Sequence, residues 1–78
     1  MKVLIINSLE LTAVYPIHNI IKLLYDAEEK ELFIISESDI ISKYSTIPKW
    51  QFEHLLIWMS DRKNKQDVFT ITLKDDEE

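Results

Sequence analysis

The sequence contains no glycine and no cysteine. Phosphate-cradling loops and dinucleotide fingerprints need glycine where the backbone closes on the ligand, and a nucleophile elbow needs it for a strained turn. None of these exists here in standard form. Every turn and helix end must use Asn, Asp, Ser, Pro or an ordinary residue instead. Without cysteine there is no disulfide, thiolate metal site or thiol nucleophile. Such a chain suits the cytoplasm. Basic residues are also short: 9 Lys and Arg face 14 Asp and Glu, for a formal net charge of −5. No apolar stretch approaches the roughly 20 residues that cross a bilayer. The opening run Val3–Ile6 is too short for a secretory leader. A protein that binds no membrane is therefore expected.

What is present is a rich core. Hydrophobic residues make up 46% of the 78, including two Trp, three Tyr and three Phe. A chain this short is one domain and buries only roughly 60% of the surface its unfolded form exposes. Much of the acidic excess sits in Asp75, Asp76, Glu77 and Glu78. We expect one body over residues 1–74 and an acidic, solvated tail over 75–78. A tail that repels nucleic acid or meets a basic partner is the sharper alternative.

Hydrophobic patterning divides the body. Lys2–Asn7 reads as a β-rich strand. Ile17, Ile20, Ile21 and Leu24 fall at helical spacing, and Asp26–Lys30 are mostly good helix formers, so the spacing favours a helix over 16–30. The competing reading is a β-hairpin with its turn at Asp26–Lys30, which the lack of Gly or Asn there disfavours. Leu32–Ile35 reads as a buried strand. Ser38 can cap a short helix over Asp39–Tyr44. Pro48 opens a second helix, whose inward stripe is Phe52, Leu55, Leu56 and Met59 and whose end falls near Arg62–Lys65. Val68–Leu73 alternates as a half-buried strand, with Phe69, Ile71 and Leu73 on one face. The order expected is strand, helix, strand, helix, helix, strand, an α+β domain.

Residues 38–59 resemble a helix-turn-helix. Ile41 and Ser42 fit its first helix, Ile47 closes the turn, and Phe52 and Leu55 pack back from its second helix. With the flanking strands, the whole resembles a winged helix. One position departs: Thr46 stands where such turns carry Gly, and Thr resists φ > 0. The outward face of the second helix carries Trp50, Glu53, His54, Ile57 and Asp61. A DNA-reading helix presents Arg, Lys, Asn, Gln or Ser instead, and acids near phosphates cost affinity. Trp50 and Ile57 suit a protein interface, where aromatic anchors carry binding energy; alternatively, the N-terminal part of the chain covers them.

Two strings, Ile35-Ser-Glu-Ser38 and Thr70-Ile-Thr-Leu-Lys74, are similar to segments of an inhibitor of a CRISPR nuclease. Small, acidic, Cys-free chains with an exposed aromatic also resemble phage-encoded anti-CRISPR proteins. The resemblance implies a non-enzymatic inhibitor in the host cytoplasm. It implies a host partner such as a nucleic-acid-binding nuclease complex, met by acidic groups that mimic DNA phosphates. The candidates for such mimicry are Glu28, Glu29, Glu31, Glu37, Asp39 and the tail over 75–78; Trp50, Glu53 and Ile57 on the second helix complete the candidate contacts. The alternative is a DNA-binding transcriptional regulator that contacts duplex DNA through Lys43, Lys49, Gln51, His54, Arg62 and Lys63, as a homodimer. No cofactor or metal is expected: His18 and His54 lie far apart with no second ligand at metal spacing. No Ser-His-Asp arrangement can be argued from spacing.

Overall fold

Three turns without glycine set the strand layout in the computed structural model, which describes residues 1–61 and 66–73. Each turn is closed by a side-chain oxygen. Strands β1 (Val3–Asn7) and β2 (Thr12–Pro16) are joined at Ser8, whose N–H and hydroxyl both donate to the Leu11 carbonyl at 3.0 and 2.8 Å. Strands β3 (Ile20–Asp26) and β4 (Glu31–Ser36) are joined at Asp26. Its Oδ1 accepts from the N–H groups of Glu28 and Glu29 at 3.0 and 3.3 Å. Strand β5 (Ser42–Tyr44) follows a turn closed by Ser36, whose Oγ accepts from the Asp39 N–H and donates to the Asp39 carbonyl. Asp and Ser side chains offer the backbone these alternatives to a helix or sheet ladder.

These turns overturn the winged-helix expectation. The described residues form six strands in two sheets and a single α-helix. The helix expected over 16–30 is instead a short 3-10 turn at Ile17–Asn19 followed by β3. The helical spacing of Ile17, Ile20, Ile21 and Leu24 is no inward stripe, since Ile21 is 67% exposed and Leu24 46%. The hairpin prevails because Asp26 supplies the turn acceptor and Lys30 takes the left-handed φ of 56° that glycine would have supplied. The helix expected over Asp39–Tyr44 is also absent. Ser38 caps nothing, because Ser36 has already organised that turn, and residues 42–44 extend the sheet as β5. A helix-turn-helix therefore cannot form over 38–59.

The first sheet has the order β2-β1-β6, where β6 is Val68–Thr72. β1 runs antiparallel to β2 and parallel to β6. The second sheet, β3-β4-β5, is antiparallel throughout, with one register shift between Ile20 and Lys22. Alternation decides which side chains face in. Leu4, Ile6, Tyr15 and Ile71 from the first sheet and Leu32 and Ile34 from the second meet in one buried cluster with Ile47 and with Leu55 and Trp58 of the helix. Burying each large apolar side chain contributes roughly 1.5–3 kcal/mol.

Helix α1 (Lys49–Ser60) begins directly after Pro48, as the sequence indicated. Its ring contacts reach both sheets. Phe52 stacks on Tyr25 of β3 at 4.7 Å between centroids, and Trp58 packs on Phe69 of β6 at 5.3 Å. On the opposite side, Tyr15 of β2 and Tyr44 of β5 meet edge to face and share a hydroxyl–hydroxyl hydrogen bond. Helix and tyrosine pair thus tie the two sheets together on opposite sides. The buried residues of α1 are Leu55 and Trp58; Leu56, expected inside, is 42% exposed. No basic side chain stands in the last turn of α1. The far end of the chain supplies the charge: the Lys2 ammonium donates to the Trp58 and Asp61 carbonyls at 2.6 and 2.8 Å and lies 5.3 Å from the Trp58 ring centroid. A cation here satisfies orphan carbonyls and complements the helix dipole. Arg62–Lys65, the expected source of that charge, lie outside the described residues.

Thr46 joins β5 to α1 with φ 64°. A β-branched residue in this region is strained by about 1–3 kcal/mol. Fully buried Ile47 holds it there, its N–H donating to the Lys30 carbonyl at 3.0 Å while its own carbonyl accepts from the Tyr25 hydroxyl. Thr46→Gly is expected to raise stability by about 1 kcal/mol, the relief of strain exceeding the added chain entropy. Urea denaturation checks this; a loss of stability would show that Thr46 is not strained.

Candidate functional site

The eight candidate contacts fall into three separate groups. Glu28 and Glu29 are exposed in the β3–β4 turn, where their backbone N–H groups bind Asp26. Glu31 opens β4 and pairs with Lys43 of β5 at 3.5 Å, so its charge is already met. Glu37 and Asp39 lie in the turn at the other end of β4. A six-residue strand separates the two turns by roughly 17–20 Å. Among the described residues, the acidic candidates therefore do not form one patch. Asp75–Glu78 lie outside the described residues.

Trp50, Glu53 and Ile57 do come together. They occupy the outer face of α1, with His54 on the same face; Asp61 follows the helix as its C-cap. Trp50 is 58% exposed and Ile57 61%, so neither the N-terminal strands nor any other described segment covers them. The His54 ring meets the Trp50 ring edge-on at 5.5 Å between centroids. Beside them, a shallow groove of about 300 Å³ is lined by His54, Ile57, Trp58, Gln66 and Phe69. Its floor is fixed by the Trp58 indole, whose Nε1–H donates to the Gln66 carbonyl at 2.8 Å. An exposed aromatic and a branched aliphatic side chain on a rigid helix present apolar area at little ordering cost, which suits a protein contact.

The set expected to contact duplex DNA lies on more than one element. Lys43 is on β5 and paired with Glu31, while Lys49, Gln51 and His54 are on α1; Arg62 and Lys63 lie outside the described residues. Among the described residues, no group of three His, Cys, Asp or Glu could hold a metal ion. No helix there is long and apolar enough to cross a membrane. The sequence reading missed Leu56 as part of the exposed apolar surface of α1 and Trp58 as its buried anchor. The signal was ambiguous, because Leu55 belongs equally to a stripe with Trp58 and to one with Phe52 and Met59.

Comparison with protein-family models, with curated proteins and with solved structures finds no match to this chain.

Proposed function

We propose that this chain is a non-enzymatic binding protein that docks a protein partner through the outer face of α1, with Trp50 and Ile57 as anchors. The observation that carries the reading is the exposure of these two side chains on one helical face, with His54 against the indole. Interfaces of this kind concentrate their energy in a few aromatic anchors ringed by polar groups. Glu53 supplies an acidic group at the rim, and the net charge of −5 favours a basic partner surface. An inhibitor of a nucleic-acid-binding protein is one chain of this kind. The separation of the acidic turns makes the helix face, rather than a phosphate-mimicking acidic patch, the contact to test first.

The test compares the full chain with Trp50→Ala, Ile57→Asp and a control, Val14→Asp, placed on exposed β2. Partners retained from host-cell extract are identified, and their affinity for purified wild type and variants is measured. Trp50→Ala is expected to weaken the specific complex by at least about tenfold, or roughly 1.4 kcal/mol, with the melting temperature unchanged. Val14→Asp is expected to bind as wild type. Equal affinity for Trp50→Ala and wild type would remove the helix face as the site. Salt-sensitive binding of duplex DNA by the full chain would replace the protein partner with nucleic acid.

A further inference from the structure

Four strand edges end the two sheets, and three of them carry a feature that discourages pairing. β2 ends in Pro16, which has no N–H to donate. β5 is only three residues long. On β6, the Gln66 side chain donates to the Val68 carbonyl at 2.7 Å. β3 differs. It is seven residues long, lacks proline, and carries Ile20, Ile21, Leu23, Leu24 and Tyr25. Between Lys22 and Asp26, its backbone bonds to no described segment other than β4. A long apolar edge of this kind is a template for another strand.

From the geometry of this edge we infer that β3 pairs with β3 of a second copy of this chain, antiparallel, about a two-fold axis at Leu24. Three independent features select that register. The irregularity between Ile20 and Lys22 and the turn after Asp26 limit the regular edge to Lys22–Asp26, whose midpoint is Leu24. An axis there places Lys22 opposite the Asp26 of the second copy, and Asp26 opposite its Lys22, so both charges are met. Among the described residues, Lys22 has no ion-pair partner within its own chain. A lysine on an edge ordinarily repels a like strand; in this register it selects one. On the same face, Leu24 meets Leu24 of the second copy, covering a side chain that is 46% exposed in the single chain. On the inner face, Leu23 meets Tyr25. Opposite charges and paired apolar side chains directly across strands are the units that stabilise a sheet. Moving the axis by one residue in either direction places Asp26 opposite an apolar residue, Ile20 or Leu24, and an axis at Tyr25 moves Lys22 beyond the strand, opposite Glu28 of the turn.

The result is an isologous contact that joins the two β3-β4-β5 sheets into one of six strands. A five-residue edge falls short of the roughly 800 Å² per partner of a standard interface. The pairing is therefore a concentration-dependent equilibrium. It is independent of the partner proposed for α1, and it would present two copies of the α1 face.

The test is sedimentation equilibrium of the full 78-residue chain at low salt, from about 1 μM to about 1 mM. A monomer–dimer equilibrium is expected. Lys22→Asp is expected to weaken it by at least about tenfold. Lys43→Asp changes the charge equally on the outer face of the same sheet and is expected to leave dimerisation within about threefold of wild type. Circular dichroism confirms that each variant folds. Salt is expected to weaken the wild-type dimer and to strengthen that of Lys22→Asp. A monomer at every concentration would overturn the inference. So would a dimer that Lys22→Asp leaves intact, or one that both variants weaken alike.

Discussion

Trp58→Ala is expected to cost about 3–5 kcal/mol, the range for truncating a buried large aromatic. Total stability for a chain of this length is about 4–12 kcal/mol, so one truncation removes a large share of it. Trp58 is only 2% exposed and takes part in three connections at once. Its ring packs on Phe69 of β6, its Nε1–H donates to the Gln66 carbonyl, and its own carbonyl accepts from Lys2. Removing the ring opens a cavity where α1 meets the first sheet and strips the Lys2 cation of its aromatic face. Trp58→Phe keeps most of the apolar volume and loses the indole hydrogen bond. Because Gln66 is exposed, water replaces that donor, and the cost is expected to be about 1–2 kcal/mol. Urea denaturation of the three proteins gives both values. A loss below about 1 kcal/mol for Trp58→Ala would mean that the helix contributes little to holding the sheets.

Tyr44→Phe is expected to cost about 2 kcal/mol, and more than Tyr15→Phe. The asymmetry follows from burial. Tyr15 is 4% exposed, and its hydroxyl has Tyr44 as its hydrogen-bond partner, so Tyr44→Phe leaves a buried hydroxyl unsatisfied at about 1–3 kcal/mol. Tyr44 is only half-buried, and water can replace Tyr15 beside it. The double variant is expected to recover part of the loss, since replacing both partners removes the unsatisfied group. The same pair governs behaviour in alkali. Burial first, and the Tyr15 hydrogen bond second, push the Tyr44 hydroxyl above the ordinary phenol range. A raised value means that the folded chain holds this proton after the unfolded chain has released it. The contribution is therefore fully present below about pH 10, the ordinary phenol value, and is lost as pH rises above it. Stability measured from pH 8 upward is expected to fall less steeply in Tyr44→Phe than in wild type. Equal slopes would show that Tyr44 does not carry the effect.

Some of this structure was legible in the residues alone. Strict alternation in Val68–Leu73 specified the strand and its inward residues, because a period of two can bury only one face. Pro48 marked the start of α1, since its fixed φ and missing N–H suit a helix entry. The common outward direction of Trp50, Glu53 and Ile57 followed from 100° spacing, but that spacing left their exposure open and placed Leu56, which is 42% exposed, inside. The register of β3 was hidden, although Lys22 and Asp26 are plain in the sequence. Only the sheet order shows that this strand is an edge.

The remainder was decided by tertiary structure. Ile17–Leu24 satisfies helical spacing and strand composition equally, and pairing with β4 chose between them. That choice depended on Asp26 accepting turn N–H groups and on Lys30 tolerating a left-handed φ, neither of which a glycine-based turn rule anticipates. At Ser36 the same device replaced an expected helix with β5. Lys2 caps a helix more than fifty residues away in the chain, a contact without any local signal. By itself, the sequence determined the absence of glycine-dependent sites, the apolar content of the core and the start of one helix, because composition and short local signals carry those. Tertiary structure alone decided how many strands there are, which of them are edges and where the acidic groups lie relative to one another, because those depend on pairings between residues far apart in the chain.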